Sequence, residues 1–466
     1  MKLPSLATLL RPPVQTLPLF PHLLLPLVLL AVLACATLFA HSDVNAALLW
    51  SQCHARERLP LLTDARLVPS WVATPACFLV SFFAEALDAA RSRAAVAELL
   101  AGVGALMSVA TAESARACNN NNSNGKNRRG GRKQRVGKHV IARPTPWWLL
   151  FNLVGGALVW QVVIVPAFLH RARSWFAGGS RSDGEDDPMG VTAQQQQQRQ
   201  QQQDEEGRRD EKALDTDRSV ADAEIVAIPL AVALGFYLPS VLMLTLRSPG
   251  SVAAWLPFPV YVSLLRQLVR WAVGRFRRST PARVHIEYVG GRSSSSHNNN
   301  NNNDDNDADG QSRHRRQQQQ GRASGGGTNK PLAALYGLPA LASVAAHALL
   351  AANLAAGRDD RREMTRSAVK FLEVDAQFLA LTVLYWVFAE VGWRAPATML
   401  LVGAVLGPGA GVCAGWVVRE RLLREALRGL LGGDDEGEGE LVEDEDEERE
   451  DEGQRRGRGE REPLLG

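Results

Sequence analysis

Ile225-Val-Ala-Ile-Pro-Leu-Ala-Val-Ala-Leu-Gly-Phe-Tyr-Leu-Pro-Ser-Val-Leu-Met-Leu-Thr-Leu246 runs for 22 residues without an acid or a base. At 1.5 Å per residue this helix is about 33 Å long, the thickness of a bilayer's hydrocarbon layer. A helix on the surface of a soluble protein needs a polar face, and this one has none. Its Pro229, Gly235 and Pro239 fit the same reading, because helices in lipid tolerate Gly and Pro better than helices in water.

Eight further stretches share the pattern: 20–40, 71–89, 94–112, 147–168, 253–273, 332–356, 371–393 and 395–418. The weakest is 253–273, interrupted by Arg266 and Arg270, and its Trp255-Leu-Pro-Phe-Pro259 suits the interface equally well. Trp71, Trp147, Trp148, Trp255, Trp393 and Trp416 stand at or near span ends, where an indole prefers the headgroup level. Gly403-Ala-Val-Leu-Gly-Pro-Gly-Ala-Gly411 supplies small residues for close helix contact. The expected fold is all-α, a polytopic transmembrane helical bundle of about eight spans, within seven to nine.

The chain has 466 residues, 46% hydrophobic and 22% charged, and its mean hydropathy is -0.12. That average hides segregation between apolar runs and polar inserts, and the segregation excludes a soluble globular enzyme. The expected organisation is an N-terminal segment, 1–19, then a bundle over 20–418 with disordered inserts near 119–143, 178–222 and 279–330. A charged, acidic cytoplasmic tail occupies 419–466. Asn119–Asn122, Gln194–Gln203, Ser293–Asp309 and Gln317–Gly327 are low-complexity tracts that cannot bury a core. The tail concentrates fourteen acids against Arg449 between Asp434 and Glu452.

Charge suggests the partners. Arg128-Arg-Gly-Gly-Arg-Lys-Gln-Arg135 has no interleaved aromatic, so it suits anionic membrane lipid and not nucleic acid. Lys2 and Arg11 lean the N-terminus to the cytoplasm, and the first apolar run reads as an uncleaved anchor rather than a signal peptide. Glu460-Arg-Glu-Pro-Leu-Leu465 has the form of an acidic dileucine signal for a cytoplasmic adaptor. Two cytoplasmic ends favour eight spans and place the sequon Asn121-Asn-Ser123 in a lumenal loop. The expected location is the endoplasmic reticulum or another endomembrane, with vacuole or endosome as the alternative. The five cysteines show no CxxC pair, so neither a disulfide framework nor a zinc site is expected.

No nucleotide, dinucleotide, zinc-protease or elbow-serine motif is present, and no cofactor or metal is expected. The candidates for chemistry are therefore ionisable groups in or beside spans, where insertion is costly. Glu85 and Asp88, three apart, would share a helix face as a carboxyl pair; alternatively Asp88 marks the helix end and pairs with Arg91 or Arg93. Glu113 and Arg116 have ion-pair spacing, with a surface pair as the plain reading. His347 sits mid-span as a neutral, satisfied residue or a proton relay. Glu373 and Asp375 point to nearly opposite sides, and Asp375 is the deeper candidate. Glu390 reads as interfacial, paired with Arg394. Asp359-Asp-Arg-Arg-Glu363 has the DDxxE form of a diphosphate site but lies among arginines, as a solvated charged loop would.

The order of several segments carries a resemblance: Pro75-Ala-Cys-Phe-Leu-Val-Ser-Phe-Phe83, Glu113-Ser-Ala-Arg116, Pro146-Trp-Trp-Leu-Leu-Phe151, Ile228–Met243, Trp255-Leu-Pro-Phe-Pro-Val260, and Phe371-Leu-Glu-Val-Asp375 before Leu384-Tyr-Trp386. Between about 71 and 428 the chain resembles the fungal membrane-bound terpene cyclases of ascochlorin and ascofuranone type. The resemblance implies a roughly eight-helix enzyme of secondary metabolism that closes rings on a lipophilic, prenylated, often epoxidised small molecule. An acid in apolar surroundings would open the epoxide and aromatic faces would stabilise the cation. Asp375, with Glu85 or His347 as complement, is the expected proton-transfer set. A non-catalytic membrane scaffold or sorting protein and a small-molecule transporter remain open alternatives.

Overall fold

The computed structural model describes residues 17–41, 70–116, 140–178, 220–276, 283–284, 330–356 and 359–431, with 14, 49 and 51 singly. The basic run at 128–135, the sequon, the Gln and Asn tracts, the acidic stretch and the dileucine signal lie outside the described residues. Residues 1–187 and 212–423 form one compact unit; a second comprises 188–211 and 424–466. Of the second, only 424–431, the end of the last helix, is described.

The first unit is all-α. Helix α1 is Leu25–His41, α2 Ser70–Ala86 and α3 Ala90–Ala115; α4 is Thr145–Val154, and α5 runs on from Gly156–Val159 through a π-turn, Trp160–Ile164, into Val165–Gly178. Helix α6 joins Asp222–Val232, a second π-turn at Ala233–Tyr237, and Leu238–Leu246. Then come α7 Pro249–Trp255, α8 Phe258–Phe276, α9 Lys330–Ala355, α10 Glu363–Val391, α11 Arg394–Leu406 and α12 Pro408–Leu431. The one extended pairing among the described residues is Val220–Ala221 against Arg283–Val284.

Among the described residues four helices are long and apolar enough to cross a bilayer: α3, α6 from Ala223, α9 from Ala334, and α10. The pair α7–α8, bent by 51°, makes a fifth if read as one span. The bend falls at Leu256-Pro257, as expected where proline removes a helical hydrogen bond. Helices α1, α2 and α11 are apolar but shorter.

Two expected spans are not straight. The 147–168 run breaks at Gly155 (φ 112°, ψ 140°), and the 395–418 run breaks at Gly407 (φ 93°, ψ 155°), backbone that only glycine adopts without strain. After each break the chain turns back. A Cβ on Gly411 would lie 2.9 Å from Cα of Gly403, and Gly415 abuts Met399, so α11 and α12 form a tight antiparallel hairpin. The small residues expected to let helices approach serve this hairpin. In the other, Trp148 and Trp160 lie 6.0 Å apart between ring centres, Arg171 bonds Glu113, and Arg143 lines one cavity with Thr111 and Ser114 of α3.

The bundle thus has two distinct ends. Glu113, Arg143, Arg171, Glu224, Glu390 and Arg419 gather at one. At the other, Asp360 accepts the N–H of Ala90 at 2.8 Å and caps α3. Leu17 and Leu23 belong to the first end through Arg173 and Tyr385. Arg116, paired with Glu420, and Val140, three residues before Arg143, flank the sequon segment and lie at the same end as Leu17 and Arg419. This differs from the expectation of a loop opposite the termini: Arg116 pairs with Glu420 at 2.8 Å and Arg171 with Glu113 at 2.8 Å, which holds these segments at one end.

Aromatic packing fills the core near that end. Trp160, Trp386 and Trp416 are fully buried and in ring contact through Trp386. Trp148, Trp255 and Trp416, expected at the interface, are core residues, whereas Trp393 is 57% exposed. The side chain of Trp71 lies outside the described ones. Cys77 is disulfide-bonded, its partner lying outside the described residues. That corrects the expectation of no disulfide, because a pairing between distant segments leaves no mark in local spacing. Cys35 and Cys413 are free.

Candidate functional site

A cavity of about 1080 Å³ opens between α2, α3, α10 and the turns of both hairpins. Its wall is apolar and strongly aromatic: Phe78, Phe82 and Phe83 from α2, Phe151 from α4, Trp255 from α7 and Phe371 from α10. The rings support one another edge-on, with Phe82 to Phe371 at 5.5 Å and Phe83 to Trp255 at 5.2 Å. Leu153–Gly156 come from the first hairpin turn and Gly403, Ala404 and Pro408 from the second.

Among the described residues Asp375 is the one ionisable side chain in this wall. Its Oδ2 accepts the N–H of Gly156 at 3.0 Å and its Oδ1 the N–H of Ala157 at 3.1 Å. These are donors left open at the start of α5, so the carboxylate caps a helix that begins inside the bundle. Gly155 and Gly156 permit the approach, since a Cβ on Gly156 would lie 3.0 Å from Oδ2. Glu373, two residues away, is exposed. The side chain that sequence reasoning preferred is therefore in the cavity, with a structural partner that sequence reasoning did not foresee. Asn152, another wall residue, donates to the Leu256 carbonyl at 2.8 Å and ties α4 to the α7–α8 bend.

The expected complements of Asp375 are elsewhere: neither Glu85 nor His347 is in the cavity wall. His347 Nδ1 lies 2.6 Å from Glu98 Oε1 on α3, a partner not anticipated from sequence. The His347 Cβ and the Ser343 side chain also lie against the Gly407 turn. Glu85 and Asp88 do not share a helix face, because α2 ends at Ala86 and Asp88 sits in the following turn. The Asp88 carboxylate faces Arg362 at 3.8 Å, and Arg93 donates instead to the Leu87 and Asp88 carbonyls.

Glu113 pairs with Arg116 as the spacing implies, at 2.9 Å, but both are buried and the pair is not a surface one. Glu113 also accepts from Arg171 at 2.8 Å and faces Arg419 at 3.5 Å. Arg419 bonds Glu390 through Nε at 2.6 Å and also contacts it through Nη2, and it reaches Glu420 at 2.8 Å. Arg116 closes the network on Glu420 at 2.8 Å. Three arginines thus meet three glutamates, and Trp386 and Trp416 lie against the Arg419 guanidinium. Glu390 is not interfacial: it is 0% exposed and also accepts from the Trp386 indole at 2.9 Å. This cluster locks α3, α5, α10 and α12 together.

The DDxxE sequence is structural as well. Asp359 pairs with Arg361 and Arg366, and the Arg361 guanidinium and backbone N–H hold its carboxyl well below the usual carboxylate range. The Asp360 carboxyl is also lowered, chiefly by the Ala90 N–H that it accepts. Among the described residues no group of three His, Cys, Asp or Glu side chains is placed to hold a metal ion.

Comparison with known proteins found no matching family model, curated sequence or solved structure.

Proposed function

We propose that this is an integral membrane protein, with seven to nine apolar segments in the bilayer and two of them re-entrant hairpins, that cyclises a lipophilic prenylated substrate. The apolar helices support the membrane reading. The observation that carries the chemistry is Asp375, the one carboxyl among the described residues of a largely apolar cavity walled by aromatic rings. In its protonated form Asp375 donates to an epoxide oxygen or terminal alkene of the substrate. Either the C–O bond of the protonated epoxide breaks or the π pair of the alkene forms the new C–H bond; the resulting carbocation is attacked by the next double bond, and the final proton returns to the Asp375 carboxylate. The product is an isomer of the substrate, so no oxidant or reductant is consumed. Faces of Phe82, Phe83 and Trp255 stabilise positive charge while lipid and packing exclude water. The work is in endomembranes of a secondary-metabolite producer.

Expression in a host lacking the activity, fed an epoxidised prenyl phenol, tests this directly. A cyclised isomer with wild type, lost in Asp375→Asn at equal protein level, is expected. Absence of product from well-expressed wild type removes the proposal. A second reading, small-molecule transport, is favoured by one observation: two broken helices turn at the same cavity, as discontinuous helices do around transporter sites. It predicts uptake of the phenol into sealed vesicles without isomerisation.

A further inference from the structure

At the end of the bundle where both hairpins begin and finish, a second cavity of about 550 Å³ lies between α3, α4 and α8. Its character is opposite to the first. Arg143, Arg266 and Arg270 line it, with the hydroxyls of Thr111, Ser114 and Ser263 among its other wall groups, and no carboxylate is in the wall among the described residues.

The three arginines are not equally engaged. Arg266 is occupied: Nε and Nη2 donate to Glu224 at 2.7 and 3.0 Å, and Nη1 donates to Ser114 at 2.8 Å. Arg270 offers only Nε to the same Glu224, at 3.1 Å, and its side chain is 44% exposed. Arg143 is exposed and has no acceptor among the described residues. Among the described residues, three guanidinium groups set against the one glutamate leave two positive charges uncompensated. The indole N–H of Trp148, a buried wall residue, also lacks an acceptor. Thr145 at the start of α4 adds the partial positive charge of a helix N-terminus.

We propose that this cavity binds a phosphoryl anion. Guanidinium forks match paired phosphate oxygens, and a site rich in donors and poor in acceptors selects an acceptor-only ligand. Basic pockets between helices at a membrane surface take phospholipid headgroups by the same chemistry. The anion is either such a headgroup or a soluble phosphate, and the test separates them. Nothing in this proposal depends on the cyclase reading, and a protein that forms no cyclised product still tests it.

The full chain is reconstituted in nanodiscs of phosphatidylcholine alone or with phosphatidylglycerol, and its thermal midpoint is followed, with pyrophosphate titrated into the phosphatidylcholine sample. Stabilisation by phosphatidylglycerol only assigns a lipid headgroup, and stabilisation by pyrophosphate only assigns a soluble anion; either result, or both together, supports the site. Arg143→Gln with Arg270→Gln should weaken the effective probe by about tenfold or more, whereas Arg270→Lys should retain part of the response. If the double variant does not fold, Arg143→Gln alone gives the same reading, since that side chain makes no hydrogen bond or ion pair among the described residues. The proposal is overturned if neither probe stabilises wild type, or if the variants respond as wild type does.

Discussion

The Oδ2 of Asp375 and the backbone N–H of Gly156 meet at 3.0 Å at the turn of a helical hairpin, which makes the cavity's one carboxyl also the cap of an internal helix. A loss of activity at Asp375 therefore carries two meanings, and stability must be measured beside turnover. Asp375→Asn keeps one acceptor but turns an N–H₂ toward an N–H donor. It should destabilise by roughly 1–3 kcal/mol, read from the thermal midpoint in detergent. Glu373→Gln, exposed and on another face, should leave both midpoint and product unchanged.

Arg419→Met leaves Glu390, Glu113 and Glu420 buried without their shared cation. Breaking one partner of such a cluster costs on the order of 3–5 kcal/mol, so the variant should accumulate poorly and unfold at lower denaturant. An Arg419→Lys variant keeps the charge but not the fork, and should fall between Met and wild type. Wild-type stability in the Met variant would show that the cluster is not buried.

Gly407→Ala tests the second hairpin. Its φ of 93° and ψ of 155° are strained for any other residue by roughly 1–3 kcal/mol, and the new Cβ would meet the Ser343 backbone oxygen and His347 Cβ at 3.0 Å. Gly403→Ala, whose nearest neighbour is 3.7 Å away at Pro408, should be tolerated. Equal midpoints for the two variants would count against the turn.

Acid should loosen the start of α3. The folded Asp360 carboxyl titrates below its ordinary value of 3.8 because it accepts the Ala90 N–H. Its contribution is thus fully present above the unfolded value and is lost as pH falls through the lower folded one. Hydrogen exchange at the first turn of α3 should accelerate over that interval in wild type. Asp360→Asn should flatten the acid dependence.

The ion pair of Arg116 with Glu420 also fixes a relation between two topology reporters. Arg116 and Val140 lie at the same end of the bundle as Leu17 and Arg419, so a glycan at Asn121 and a tag following Arg419 should report the same side of the membrane. A cytoplasmic tail then goes with an unmodified Asn121. A glycosylated Asn121 together with a protease-accessible cytoplasmic tag would contradict that shared end. Resistance of the chain to alkaline carbonate extraction is expected in either case.

The material of the fold was legible along the chain. Runs such as 225–246 exceed the hydrocarbon thickness without a charge, and that arithmetic is local, so the all-α bundle could be read before any packing was known. Asp375 was legible too, as a carboxyl whose placement in an apolar run needs a reason. The breaks at Gly155-Gly156 and Gly407-Pro408 were visible as residues, but a break does not state which way the chain leaves it. Packing sets that direction, through contacts such as Met399 against Gly415. The partners of the charged groups were likewise beyond local reading: Arg419 reaches Glu113 across 306 positions, and Asp375 reaches Gly156 across 219. A buried charge must find its counter-charge wherever the fold brings one, so burial and pairing are properties of the packed bundle rather than of spacing along the chain.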